Sequence, residues 1–341
     1  MAPRAGVGTL VVAVLTLAAA MAMFLVVTLL WSKSPAGPSA RELGLHPDLG
    51  FLDGFSEPGS SPWPAGLQLQ LPPAPPTIPL VVHQTGPYPS WAEVPPALQK
   101  ALDTWVQRGP RGVRTQWFGD AAADAYVQTH FPEYKYDYRA LRPGAFKADL
   151  WRMLILLREG GIYVDCGVHI VAGPEAAGRM WGQLVGADCL FVDDHNVLPG
   201  SVWQGVIAAR PGHPLIRAIV DTIVGNIRAR MYGSNYLDIT GPRAVGRAIS
   251  ARLGPALNAR MRVTGRLAKP VWRPGVYATS DPDLGTLVVL KYRSRRVWGC
   301  QGEHLLDTKV PAYYRTVYGK RQTPHYRELW RRRQVYIDTR P

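Results

Sequence analysis

Cysteine is scarce in this sequence: the 341 residues contain three, Cys166, Cys189 and Cys300. Three dispersed thiols exclude a disulfide framework and a CxxC-type zinc site, and an odd number leaves at least one unpaired within the chain. In an oxidising compartment one pair could bridge, and spacing does not choose which. Carboxylates are few as well, 25 against 39 Lys and Arg, for a formal charge of +14. Such an excess raises nucleic-acid binding, which works by releasing counterions from phosphates. The densest basic runs, Arg293-Ser294-Arg295-Arg296 and Arg331-Arg332-Arg333, sit in no zinc-finger or RNP-type signature. A solvated basic surface with no nucleic-acid partner is therefore expected. Internal repeats are missing too, which excludes solenoids and propellers.

Apolar residues make up 47% of the chain, which places it among globular proteins. From Leu10 to Leu30 no charge interrupts LVVAVLTLAAAMAMFLVVTLL. At about 1.5 Å per residue this run just crosses a hydrocarbon core about 30 Å thick, whereas a signal-peptide core runs only about 7–15 residues. The span 10–31 is read as a signal anchor after a short tail, 1–9. Arg4 on one side and Lys33 and Arg41 on the other leave orientation undecided by charge. The short tail and the large following domain suggest a single-pass type II membrane protein. Its catalytic domain would then be lumenal, in the Golgi, the secretory pathway or an equivalent host membrane. Residues 32–77 are rich in Pro, Gly and Ser, as in Pro72-Pro73-Ala74-Pro75-Pro76; such a segment buries too little to fold and acts as an extended stem.

The folded domain is expected over 78–336, with 337–341 as a tail. Ile78 to Thr85 reads as a buried strand that delivers polar residues to a cleft. Leu98, Leu102, Trp105 and Val106 have helical spacing, and Val113 to Phe118 reads as a second strand. Strand, helix and strand in alternation predict a parallel α/β sheet. A further helix runs over Gly144–Glu159 and stops at Gly160-Gly161, and Ile162 to Asp165 follows as a strand.

Asp149 and Arg152 lie three apart on that helix, so both emerge on one face. A carboxylate beside a guanidinium suits a ribose hydroxyl and a diphosphate, although the same pair is often only a surface ion pair. Asp165 ends a strand, the edge where open α/β sheets bind ligands, and a carboxylate there can hold a divalent cation. An aspartate capping the next turn is the plainer alternative. Asp193, Asp194 and His195 form a second cluster, readable as a solvated loop.

The His-Gln-Thr strand, the Ala-Asp-x-x-Arg helix and Gly-Gly-Ile-Tyr-x-Asp together resemble glycosyltransferase family 32. That DXD-motif group is related to initiating mannosyltransferases and large clostridial toxin glucosyltransferases. Trp203 to Pro214, Asp238 to Pro242 and Thr323 to Tyr326 before Trp330 look like the family's downstream segments, so the resemblance covers about Ile78 to Tyr336. It implies a GT-A fold, a Rossmann-like mixed sheet with flanking helices. It further implies retaining transfer of a hexose from a nucleotide-diphosphate sugar to a glycan, lipid or protein acceptor, with Mn2+ or Mg2+. By position, Asp149 would contact the donor ribose, and Arg152 the donor phosphates or sugar. Asp165 would be the first motif aspartate, His83 and Thr85 would lie along the nucleotide, and Trp203 and Gln204 would sit near the transferred sugar.

One position departs from the motif: Gly167 stands where the second aspartate is usual, in Asp165-Cys166-Gly167. If the chain stays extended, alternation puts Asp165, Gly167 and His169 on one face, and His169 becomes a candidate second ligand. Mn and Mg prefer oxygen, so His169 is also readable as an ordinary polar side chain. The alternative function is a non-catalytic, membrane-tethered sugar- or nucleotide-binding protein with a degenerate motif.

Overall fold

A computed structural model describes residues 77–194, 201–261, 274–279, 281–310 and 324–338. Among them no helix is long and apolar enough to cross a membrane. The expected anchor at Leu10–Leu30 and the stem as far as residue 76 lie outside the described residues, as does His195.

In chain order the elements are β1 (Val81–Gly86), α1 (Pro96–Gln107), β2 (Arg114–Gly119), α2 (Asp120–His130), α3 (Lys135–Ala140), α4 (Gly144–Glu159), β3 (Gly161–Val164) and β4 (His169–Ile170). There follow α5 (Pro174–Val185), β5 (Cys189–Asp193), β6 (Val202–Ala209), α6 (Pro214–Arg228), α7 (Pro242–Met261), β7 (Gly275–Ala278), β8 (Thr286–Arg293), β9 (Arg296–Trp298), β10 (His304–Asp307) and α8 (Tyr326–Arg331). The strands form one sheet in the order β2-β1-β3-β6-β5-β8-β9-β10-β4, with β7 beside β8.

The expectation of a parallel sheet holds for one part only. β1 runs parallel to β2 and β3, and β5 parallel to β8, while β6 is antiparallel to both β3 and β5. The reason for the β5 and β6 pairing is connectivity: only residues 194–201 separate the two strands, and a link that short is below the dozen or more residues a parallel crossover needs. The result is a mixed α/β sheet with flanking helices, consistent with GT-A.

Side-chain alternation sorts the strands between two cores. Tyr163, Ile207, Leu287 and Val289 join one cluster with α2, α4, α6 and α7. Ile162, Val206, Val288 and Leu290 join the other with Trp105 of α1 and Trp181 of α5, whose rings meet edge to face at 6.1 Å. Helix α4 is buried all round: every residue from Leu150 to Leu157 is inside, including Arg152. Each buried large apolar side chain contributes about 1.5–3 kcal/mol, against a few tenths for differences in helix propensity, so packing decides this helix. A lone guanidinium in that run must find partners, because an unpaired buried charge is costly.

Helix α4 ends at Gly160, with φ +65°, and Gly161 follows at φ +94°. A Cβ on Gly161 would sit 2.6 Å from the Val81 carbonyl and 2.9 Å from His83 Nε2. The double glycine thus both stops the helix and lets β3 lie against β1. The three cysteines are all free, Cys166 and Cys189 being buried, so no pair bridges.

Candidate functional site

Because β1 and β3 are parallel and β6 is antiparallel to β3, the ends of β1 and β3 and the start of β6 share one sheet edge. The backbone N–H of Asp165 donates to the Gly205 carbonyl at 2.8 Å, fixing that edge. Above it opens a cleft of about 810 Å³, lined by Thr85, Lys147, Asp149, Arg152, Tyr163, Asp165, Trp203, Gln204, Tyr292 and Lys309 among others.

Arg152 organises the floor. Its Nη2 meets Asp149 Oδ1 at 2.9 Å and its Nη1 meets Asp165 Oδ1 at 3.2 Å. Nη1 also donates to the Gln204 carbonyl at 2.6 Å, and Nε to the Ala148 carbonyl at 3.2 Å. The guanidinium lies 4.4 Å from the Tyr163 ring centroid, and the Tyr163 hydroxyl donates to Asp165 Oδ1 at 2.9 Å. Thr240 donates to Asp149 Oδ2 at 2.8 Å, and Gln204 Nε2 donates to the Thr240 carbonyl at 2.9 Å. Burial pushes the Asp149 carboxyl up to about 7; Arg152 and the Thr240 hydrogen bond pull it down, and Asp165 adds to the rise. Burial also holds the Tyr163 phenol well above its usual range, so it stays a donor.

The Thr240 loop is itself pinned. Asp238 accepts from the Ser234 and Asn235 N–H groups at 2.9 Å each and pairs with Arg247 at 2.9 Å, while Asn226 Nδ2 donates to the Ile239 carbonyl at 2.8 Å. On another part of the cleft, Trp203 stacks on Tyr292 with ring centroids 5.1 Å apart.

Of the residues singled out in the sequence, Thr85, Asp149, Arg152, Asp165, Trp203 and Gln204 come together in the cleft. Thr85 turns its hydroxyl to the Phe118 carbonyl at 2.8 Å. His83 does not line the cleft. It is buried, with Nε2 2.9 Å from the Gly160 carbonyl, to which it donates, and burial depresses it to about 4. Asp193 and Asp194 are buried at the end of β5 and also lie outside the cleft lining; burial, with Asp193 adding, raises Asp194 to about 7.

His169 is not brought beside Asp165. The chain turns rather than staying extended, with the Val168 N–H donating to the Asp165 carbonyl at 3.1 Å and Gly167 at φ +94°. A positive φ at the third residue of a turn calls for glycine. His169 then starts β4, paired with Asp307, and its Nδ1 lies 3.1 Å from the Gly167 carbonyl. An aspartate at 167 would have to adopt a backbone conformation that L side chains disfavour.

DXD-motif glycosyltransferases generally use a divalent metal, and an Mn2+ or Mg2+ ion at Asp165 would take most of its oxygen ligands from donor phosphates and water. Hard cations take about six oxygen ligands, and at phosphate-transfer sites Mg2+ commonly has one or two carboxylates, with substrate phosphates and water supplying the rest. Here Asp165 is the motif's single carboxylate and already meets a guanidinium, and among the described residues no group of three His, Cys, Asp or Glu could hold a metal.

Tyr163, Thr240, Tyr292 and Lys309 escaped the sequence reading. Tyr163 had a signal, since alternation places it on the same strand face as Asp165. Thr240 lay inside a segment matched to the family without being given a role. Tyr292 and Lys309 had no local signal.

Residues 95–181 match the family model described as "Glycosyltransferase sugar-binding region containing DXD motif". Over that stretch the protein carries the region found in DXD-motif glycosyltransferases. Such enzymes use a nucleotide-sugar donor and an acceptor. Among solved structures the chain is similar to PaToxG Glycosyltransferase, at 17% identity and a TM-score of 0.35, over 54% of this chain and 74% of that one. No curated protein matches it in sequence.

Proposed function

We propose that the protein moves a hexose from a nucleoside-diphosphate sugar to a glycan, lipid or protein acceptor with retention at the anomeric carbon. The observation that supports this most is the Asp149, Arg152 and Asp165 triplet on the cleft floor, inside the family-matched segment. Asp149, fixed at one oxygen by Arg152 and at the other by Thr240, keeps lone pairs for ribose hydroxyls. Asp165 is the more exposed carboxylate, at 38% against 14%, and is free to face the transferred sugar. The stacked Trp203 and Tyr292 rings offer an apolar platform for a sugar ring.

In the reaction the anomeric C–O bond breaks and its electron pair leaves on the β-phosphate oxygen. The acceptor oxygen bonds the anomeric carbon on the same face, and its proton passes to the leaving phosphate. This route asks the protein for positioning and charge stabilisation more than for a base. A panel of UDP- and GDP-sugars, scored for transfer and hydrolysis, tests the activity, and NMR of the product anomer tests the stereochemistry. No turnover with any donor, or an inverted product, would overturn the corresponding half of the reading.

We also propose the single-pass, lumenal placement, which rests on the uncharged span Leu10–Leu30 and the Pro-rich stem after it. The full chain should stay with membranes through an alkaline carbonate wash. Appearance in the supernatant would remove the anchor.

A further inference from the structure

We propose that Thr240 is a positioning residue for donor binding: it sets the plane of the Asp149 carboxylate, and Gln204 holds Thr240 in place. The inference rests on the nucleotide-sugar reading above, in which Asp149 takes ribose hydroxyls. Thr240 is fully buried and lies outside the cleft lining, so it touches no donor and can act only through a neighbour.

A closed ring of contacts joins distant parts of the chain. Arg152 Nη2 meets Asp149 Oδ1 at 2.9 Å, and the Thr240 hydroxyl donates to Asp149 Oδ2 at 2.8 Å. Gln204 Nε2 donates to the Thr240 carbonyl at 2.9 Å, and Arg152 Nη1 returns to the Gln204 carbonyl at 2.6 Å. Asp149 and Arg152 belong to α4, Gln204 to β6, and Thr240 to the stretch just ahead of α7. A carboxylate turns about its last bond over a broad range of angles, so a partner on one oxygen leaves its plane free. Partners on both oxygens, arriving from different elements, fix it. The lone pairs that remain then point in a set direction before a ligand arrives, which lowers the ordering cost of binding.

The backbone that carries Thr240 has its carbonyls caught in series by side-chain amides. Asn226 Nδ2 donates to the Asp238 carbonyl at 3.2 Å and to the Ile239 carbonyl at 2.8 Å, and Gln204 takes the next one along. Because a carbonyl only accepts, the Gln204 amide has to present its NH2 group there. Gln204 is buried, and its nitrogen serves the Thr240 stretch. That is a different task from the contact with the transferred sugar that the sequence resemblance implies for it.

Calorimetry of the full chain with UDP and GDP, each against its 2′,3′-dideoxy counterpart in a buffer containing manganese, isolates what Asp149 contributes. The parent is expected to bind the ribonucleotide more tightly. Thr240→Val, close to threonine in shape, should weaken the ribonucleotide about tenfold, the scale of one hydrogen bond to a charged group, and leave the dideoxy nucleotide unchanged. Thr240→Ser keeps the hydroxyl and should bind as the parent does. Gln204→Met should reduce the preference about threefold by itself and not at all in the Thr240→Val background, since it acts through the same hydroxyl. A Thr240→Val protein that keeps the parent's preference for ribose, or that weakens both nucleotides alike, overturns the inference; if that variant does not fold, an unchanged preference in Gln204→Met does so. A parent that binds the ribo and dideoxy forms equally removes the ribose role of Asp149, and this inference with it, while sparing the nucleotide-sugar reading. A parent that binds no nucleotide removes both.

Discussion

The cleft wall made by α4 and β3 differs in kind from the wall made by Trp203, Tyr292 and Lys309. On the first, each charged group meets another group of the protein: Arg152 joins Asp149 to Asp165, Tyr163 supports Asp165, and Thr240 closes on Asp149. On the second, the Trp203 and Tyr292 rings stack on one another and line the cleft. A wall whose charges are compensated internally is rigid and offers shape and hydrogen-bond acceptors, while a ligand's own charge has to be met elsewhere. The contrast also follows the sequence, since Asp149, Arg152 and Asp165 lie within residues 95–181 and the rings and the lysine lie beyond.

The comparison breaks most visibly at Arg152. Arg152→Met leaves two cleft carboxylates without their shared counter-charge and should cost about 3–5 kcal/mol of stability in urea unfolding. Adding Asp149→Asn should recover part of that loss; a single variant that unfolds like the parent would show that the wall is not built on the guanidinium. Next in size is a pH effect. Asp149 sits at about 7 because of burial, and the ionised form is the one that accepts ribose hydroxyls. Donor affinity should therefore plateau above about pH 7 and fall about tenfold per unit below it, a dependence that Asp149→Asn abolishes. Stability runs the other way: a folded-state pKa above the unfolded value makes this group's contribution shrink as pH rises from about 4 to about 7. A flat binding profile in the parent would refute the role.

Thr240→Val removes the donor to Asp149 Oδ2 and should cost about 1–3 kcal/mol, read by thermal unfolding. Gly167→Asp restores the motif letter and should cost about 1–2 kcal/mol through its positive φ, without creating tight manganese binding. Tight binding in that variant would mean that the turn yields to the ion.

Helix α4 was legible because its apolar run is long and ends at two glycines, and the structure places it at Gly144–Glu159 as the sequence suggests. The α4 and β3 wall followed, since Asp149, Arg152 and Asp165 belong to that helix and the strand after it. His83 misled because a polar residue on an apolar strand reads as cleft-facing, while the Gly160 carbonyl buried behind the strand is invisible locally. The turn after Asp165 had a signal in Gly167 that extended-chain reasoning overrode. Lys309 could not be found by pattern, because only the folded chain brings the stretch after β10 to the cleft that Asp165 lines.

The link between α3 and α4, which carries Arg142 and Pro143 into the cleft, is paired with a much later stretch. Arg142 N–H donates to the Val335 carbonyl at 2.7 Å, and Ile337 N–H to the Ala140 carbonyl at 2.9 Å, with Leu141 and Tyr336 bridged between them. For a chain made from its amino end, this clasp has to wait for residues far downstream of the link, and contacts so distant in sequence close slowly. A nascent chain that already displays Asp149, Arg152 and Asp165 therefore holds an unfinished pocket until residues 335–337 have left the ribosome.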